Sequence, residues 1–314
     1  APFKQVGLLM STSPATLPSG HRRIDYLQMQ GIVMRFPGVL ANDHVDFETR
    51  TGQIHALLGE NGAGKGTLMK ILYGMYKPQE GTILLDGVQQ HFHSPADSLA
   101  SGIGMIHQHF MLVPTLSVVE NVALGMKSSR GMLLNLDEVR ERVVKISEIY
   151  GLKVNPDAFI WQLSVGEQQR VEIIKALYRG GALIILDEPT AVLTPQEVHE
   201  LFVILKEMRE QGHALIFISH KLHEVQELAD CVTVMRDGRV VDTCANENLD
   251  KRKLARMMVG RDVQFQPDRP PVKVGDVQLS IRDLCADNDQ GLKCLHNVGL
   301  EVRSGEILGV AGVS

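Results

Sequence analysis

From Tyr26 onward, short and nearly unbroken apolar runs alternate with stretches whose apolar positions recur at helical spacing. Residues 54–58, 103–106, 183–186 and 214–218 read as strands buried on both faces, the pattern of a parallel sheet. Residues 136–150 instead carry Val139, Val143, Ile146 and Tyr150 three or four positions apart with charged residues between them, which predicts an amphipathic helix. A mostly helical insertion is expected at about residues 114–162, and an antiparallel edge near residues 83–86. Strands alternating with helices predict an α/β domain over residues 26–260.

The flanks break this pattern. Residues 1–25 are rich in Ser, Thr, Pro and Gly and read as a flexible N-terminal arm whose apolar stretch is too short for a secretory signal. Residues 261–276 contain Pro270-Pro271 and mixed polar positions, which suits a linker better than a strand or helix. Past the linker the chain repeats itself. Gly305-Glu306-Ile307-Leu308-Gly309-Val310-Ala311-Gly312 follows the pattern of Gly52-Gln53-Ile54-His55-Ala56-Leu57-Leu58-Gly59, and Val298-Gly299-Leu300 stands where Val45-Asp46-Phe47 stands. Residues 277–314 are therefore expected to open a second, truncated copy of the same domain.

Composition narrows the classes. The 314 residues are 44% hydrophobic and 22% charged, enough for a buried core and more than one domain. No apolar run approaches the roughly 18–20 residues of a membrane-spanning helix. A net charge of −5 provides no broad basic field for nucleic acid. Cys231, Cys244, Cys285 and Cys294 form no CxxC pair, which favours free thiols over a zinc site or a disulfide framework.

Three motifs carry chemistry. Gly59-Glu60-Asn61-Gly62-Ala63-Gly64-Lys65-Gly66-Thr67 lies between a predicted strand and a predicted helix, the context of a phosphate-binding loop. Glycines allow backbone N–H groups to wrap a phosphate, and Lys65 adds a compact positive charge. The residue after the lysine is Gly66, where such loops carry a Ser or Thr that ligates Mg²⁺. Thr67 has a hydroxyl but in a helix points about 100° away. Losing one contact to a charged partner costs ~1–3 kcal/mol, so binding can persist while hydrolysis suffers. Second, residues 183–188 end an apolar run in Asp187 and Glu188, a pair suited to holding Mg²⁺ and polarising water. Either acid alone would be an ordinary strand-end residue. Third, Leu163-Ser164-Val165-Gly166-Glu167 begins a helical run and by itself reads as a helix N-cap at Ser164.

In this order the three motifs resemble the ATP-binding cassette (ABC) transporter family, over nearly all of residues 26–260. The resemblance implies a P-loop NTPase fold: a parallel core sheet, an antiparallel β edge and a helical subdomain. It implies ATP and Mg²⁺ as ligands, with the nucleotide held by residues 59–67 and Phe36 stacking on adenine. Gln108 and Asp187 would approach Mg²⁺, and Glu188, His220 and Gln108 would be catalytic. Ser164, Gly166 and Glu167 would act in trans on nucleotide held by an opposing cassette. The loop after Glu188, the Gln108-His109-Phe110-Met111 run and the repeat look most like the tandem-cassette subunit of simple sugar and nucleoside importers, with a slight lean to nucleosides. That subfamily implies permease subunits, a second cassette, indirectly a substrate-binding protein, and a peripheral place on the cytoplasmic face of the membrane. Two other readings compete: a nucleotide-binding module impaired in hydrolysis at Gly66, and a soluble twin-cassette ATPase acting on ribosomes or DNA. The short proline-bearing linker and acidic charge disfavour the last, and no nucleic-acid partner is expected.

Overall fold

The computed structural model describes residues 17, 23–126, 135–247, 250–261, 272–287 and 293–311. The chain divides into two compact units, residues 1–263 and residues 264–314. In the first, the strands are β1 (Tyr26–Phe36), β2 (Val39–Arg50), β3 (Ile54–Leu58), β4 (Glu80–Leu85), β5 (Val88–Gln90), β6 (Ile103–Ile106), β7 (Leu183–Asp187), β8 (Ala214–Ser219), β9 (Cys231–Arg236) and β10 (Arg239–Ala245). The helices are α1 (Lys65–Leu72), α2 (Pro95–Ala100), α3 (Val118–Ala123), α4 (Leu136–Ile149), α5 (Val165–Tyr178), α6 (Pro195–Glu210), α7 (Leu222–Leu228) and α8 (Lys251–Val259).

A six-stranded sheet runs in the order β10-β9-β3-β8-β7-β6. Its pairings are parallel from β9 to β6, and only β10 is antiparallel. The antiparallel strands expected near residues 83–86 belong to a separate sheet of order β2-β1-β4-β5. All five residues of β3 and all six of β8 are buried, which explains why these strands read as continuous apolar runs.

The two-residue period of a strand distributes each run between two cores. Ile184, Leu186, Leu215 and Phe217 pack with Val171, Ile174 and Leu177 of α5 and with Phe202 and Leu205 of α6. Their neighbours Leu183, Ile185, Ile216 and Ile218 pack with Leu68, Met69 and Leu72 of α1 and with Leu27, Met29, Val45 and Phe47 of the antiparallel sheet. Each such fully buried side chain contributes about 1.5–3 kcal/mol of transfer free energy. A third cluster joins Leu58, Val232 and Val234 to Val225 of α7 and to Leu254 and Met258 of α8.

The insertion expected at about residues 114–162 contains α3, α4 and a short 3₁₀ turn, Ile160–Gln162. Helix α4 buries Val139, Val143 and Ile146, and Tyr150 follows it at 1% exposure. Fully buried Asn121 ties the entry to the insertion: its Oδ1 accepts from Val113 N at 2.7 Å and its Nδ2 donates to Val113 O at 3.1 Å.

The described part of the expected N-terminal arm is packed. Leu17 and Ile24 are buried in the second core cluster, and Asp25 N donates to Asp86 Oδ1 at 2.9 Å. Residues 1–16 and 18–22 of the arm, and residues 262–271 of the expected linker, lie outside the described residues. The second unit contains an antiparallel hairpin of β11 (Val277–Asp287) and β12 (Lys293–Arg303). Residues 306–311, compared above with β3, follow it outside any strand. No described helix is long and apolar enough to cross a membrane. None of the four cysteines is in a disulfide.

Candidate nucleotide-binding site

Strands β3, β8, β7 and β6 are consecutive parallel neighbours, so the loops leaving their carboxyl ends emerge side by side. The register aligns those ends: Leu58 with Ser219, Asp187 with Ile218, and Ile106 with Leu186. Open α/β sheets bind ligands at this edge. It gathers the 59–67 loop, Asp187-Glu188, His220 and Gln108, which are widely separated in sequence.

The loop from β3 turns into α1 through Gly64, whose φ is +97° and whose missing Cβ would sit 2.2 Å from Ala41 O. Gly59 is equally constrained, since a Cβ there would meet Met235 O at 2.4 Å. Only glycine fits at either place. Gly66 differs: its φ is not left-handed, and a Cβ would meet nothing within 4 Å. Thr67 is the third residue of α1.

Lys65 is 6% exposed and folds its ammonium back over the loop, donating to Gly59 O at 2.7 Å and Glu60 O at 3.0 Å. Burial pulls its pKa down, and the nearby carboxylates of Glu188, Asp187 and Glu60 oppose that shift. Burial also pushes the Asp187 carboxyl up, with the Glu188 charge adding to it; Lys70, His107 and Lys65 act the other way.

Glu188 leaves β7 with φ +47°, a left-handed conformation costly for a residue with a side chain. Two backbone contacts hold it: its N–H donates to Ile218 O at 3.1 Å, and its carbonyl accepts from Ala191 N at 3.1 Å. The turn brings Glu188 Oε1 to 3.0 Å from His220 Nδ1. Gln108 is exposed just after β6. Phe36, at the end of β1, packs edge-on against Tyr76 with ring centroids 5.4 Å apart.

The Ser164 segment forms the N-terminus of α5. Ser164 Oγ accepts from Glu167 N at 3.2 Å, and Glu167 Oε2 accepts from Ser164 N at 2.8 Å. Gly166 N donates to Glu197 Oε1 of α6 at 3.0 Å. No hydrogen bond or ion pair among the described residues joins Ser164, Gly166 or Glu167 to the 59–67 loop.

Sequence reasoning missed the side chains that hold these loops. Glu172 of α5, 5% exposed, accepts from Met111 N at 2.7 Å, while Lys175 donates to Met111 O at 2.8 Å. This ties the segment after Gln108 to the helix that starts at Ser164. Fully buried Asn42 donates to Gly64 O at 3.2 Å from behind the phosphate-type loop.

Comparison with known proteins places the chain in a family. The family model for ABC transporters matches residues 42–191. The chain is 47% identical to the glucose import ATP-binding protein TsgD13 of Haloferax volcanii, across 93% of this chain and 58% of that protein. It is 46% identical to the nucleoside import ATP-binding protein NupA of Lactococcus lactis subsp. cremoris, across 91% of this chain and 57% of that protein. The chain thus spans somewhat over half the length of these curated relatives. Among solved structures, cbiO1 from Clostridium perfringens, part of the ABC transporter complex cbiONQ, is 31% identical with a TM-score of 0.64, covering 74% of this chain and 93% of its own. The fold and the strand-end loops define an ATP-binding cassette of the P-loop NTPase type. The chain belongs to the ABC transporter family.

Proposed function

We propose that this chain is the ATP-binding and ATP-hydrolysing subunit of an ABC importer that energises uptake of a simple sugar or nucleoside through separate permease subunits. The observation that carries the reading is the convergence at one sheet edge of the Lys65 loop, Asp187, Glu188, His220 and Gln108, with Glu188 and His220 3.0 Å apart. The names of the relatives, which import glucose and nucleosides, support an importer and leave both cargo classes open. The permease contact, an indirect link to a substrate-binding protein, and a peripheral place on the cytoplasmic face of the membrane follow from the same reading.

The N–H groups at the start of α1 and the Lys65 ammonium bind the phosphates, while Phe36 offers a face for adenine. Glu188 orients and polarises the attacking water, and His220 holds the Glu188 carboxylate while facing the terminal phosphate. Asp187 and Gln108 present oxygen donors suited to Mg²⁺, and the raised pKa of Asp187 is the electrostatic burden a cation relieves. Mg²⁺ when bound supplies charge neutralisation at the phosphate oxygens. Gly66 withholds one oxygen donor from that set.

Ser164, Gly166 and Glu167 complete a site on a second cassette, and the second unit supports a tandem arrangement. In the first hairpin Met29 pairs with Phe47 and Ile32 with Val45; in the second Ile281 pairs with Leu300 and Leu284 with Val298. The backbone irregularities recur at matching places: positive φ at Gly31 and Asp283, at His44 and Asn297, and at Gly52 and Gly305. Residues 277–305 thus match the β1–β2 hairpin in pairing and in the places of positive φ, which supports the reading of a second cassette's opening.

Gly66 favours a second reading, a cassette that binds nucleotide and turns it over poorly. The test is ATP binding and phosphate release, with and without Mg²⁺, by this chain, by Gly66→Ser and by Glu188→Gln. The open space at position 66 lets serine enter without strain. All three are expected to bind ATP, Gly66→Ser to release phosphate about tenfold faster or more, and Glu188→Gln to release none. Equal turnover with and without the serine removes the defect assigned to Gly66. Absence of ATP binding in all three overturns the reading.

A further inference from the structure

Helix α7 places one carboxylate behind the Glu188–His220 contact, in a position that neither the motifs nor the family resemblance singled out. Glu224 is 1% exposed. Its Oε2 accepts from Thr190 Oγ1 at 2.7 Å and from Ser219 Oγ at 3.1 Å, and its Oε1 pairs with the Lys221 ammonium at 3.0 Å. Lys221 Nζ also donates to Thr190 O at 3.0 Å, and Lys221 N donates to Ser219 Oγ at 3.0 Å. Each hydroxyl therefore donates to the carboxylate and accepts from Lys221, whose ammonium lies 3.3 Å from Thr190 Oγ1. Thr190 and Ser219 are each 3% exposed, so the carboxylate end of the network is dry, while the Lys221 side chain keeps 32% of its surface exposed.

The positions matter more than the count. Thr190 lies two residues after Glu188, and Ser219 and Lys221 flank His220 on either side. The two loops come from different strands, and Glu224 is the side chain that grips both. Burying the carboxylate of such a pair is a poor device for stability, because its desolvation offsets much of the attraction to Lys221. Fully satisfied polar networks do fix geometry. Without this grip, the left-handed turn at Glu188 would keep its two backbone hydrogen bonds, the His220 contact and the Lys221 bond to Thr190 O, and lose the buried carboxylate that holds both hydroxyls.

We propose that Glu224 is a positioning residue for ATP hydrolysis, holding the loops of Glu188 and His220 at their working separation without touching nucleotide. This rests on the reading of Glu188 and His220 given above. The test uses the full chain carrying Gly66→Ser, with Glu224→Gln introduced alone and together with His220→Ala. Glutamine keeps the shape and one acceptor, which protects the fold. Alone, Glu224→Gln is expected to lower kcat about tenfold and leave KM for ATP within about twofold. In the His220→Ala background its further effect should shrink to under about twofold, because the geometry it maintains no longer has its partner. A tenfold loss in both backgrounds, or a loss confined to KM, overturns the proposal. Amide exchange in the same proteins reads the loops directly: exchange at Glu188 and Ala191 should accelerate in Glu224→Gln while α5 and β3 stay protected. If the Gly66→Ser chain binds ATP without turnover, the hydrolysis reading has failed on its own, and the exchange pattern decides the positioning role. Unchanged protection at Glu188 and Ala191 would then overturn it.

Discussion

Helices α1 and α5 both begin beside functional loops, and they begin in opposite ways. Helix α1 starts from Gly64 with no side-chain cap and no acidic residue in its first turn. Helix α5 starts from Ser164 in a reciprocal capping box with Glu167, and Glu197 takes up the N–H of Gly166 as well. Hydrogen bonds, from the Thr194 backbone first and from Gly166 among the others, hold the Glu197 carboxyl below the usual range, so it stands as an anion at the start of α5. A helix N-terminus has N–H groups without intrahelical partners and a positive dipole end. At α1 these are left to a phosphate, with Lys65 already at hand. At α5 the Gly166 and Glu167 N–H groups are taken up within the chain, so in the proposed arrangement a phosphate from an opposing cassette would exchange with a carboxylate there. One end is open to an anion, the other already holds a carboxylate.

Three substitutions sharpen or break this contrast. Lys65→Ala removes the charge beside the uncapped end, and ATP affinity is expected to fall about 100-fold in a fluorescence titration. Affinity within twofold of the parent would mean that the α1 end is not the phosphate site. Ser164→Ala removes the cap of α5 and should cost ~1 kcal/mol, lowering the melting temperature by about 2–4 °C with ATP affinity unchanged. A loss of affinity in the isolated chain would show that α5 already serves its own nucleotide. The smallest expected effect belongs to Asp187→Asn. Burial raises the Asp187 pKa, so the folded chain holds that proton more tightly than the unfolded chain does. Its favourable contribution at low pH is lost as pH rises from the ordinary carboxylate value through the raised one, and at neutral pH the ionised group costs stability. Asp187→Asn should therefore raise the melting temperature slightly at neutral pH. A lower melting temperature across the whole pH range would contradict the assigned burden.

Much of this was legible in the chain itself. The four core strands read as apolar runs because both of their faces are covered, and α4 read as amphipathic because only one of its faces is. The loop glycines were legible for a related reason: Gly59 and Gly64 face backbone too closely for any side chain. The antiparallel element near residues 83–86 was legible too, though not its partner. Periodicity shows which face of a strand is buried but not which sheet it joins, and β4 pairs with β1 rather than with the core strands. Glu172 and Glu224 were passed over because an isolated acid in a helical run looks like a solvated face. Only packing shows that both are buried.

The sequence by itself determined the four buried core strands and helix α4, the phosphate-type loop, the two acids at the end of β7 and a repeated residue pattern beyond residue 276, because these depend on local backbone preference and on short-range patterns of burial. The tertiary structure alone decided that Gln108, Asp187, Glu188 and His220 stand at one edge, that Lys65 lies over its own loop, and that Glu224 grips the two loops behind the Glu188–His220 contact. Those relations depend on the parallel pairing of strands from distant parts of the chain, and on which polar groups find partners once water has been excluded.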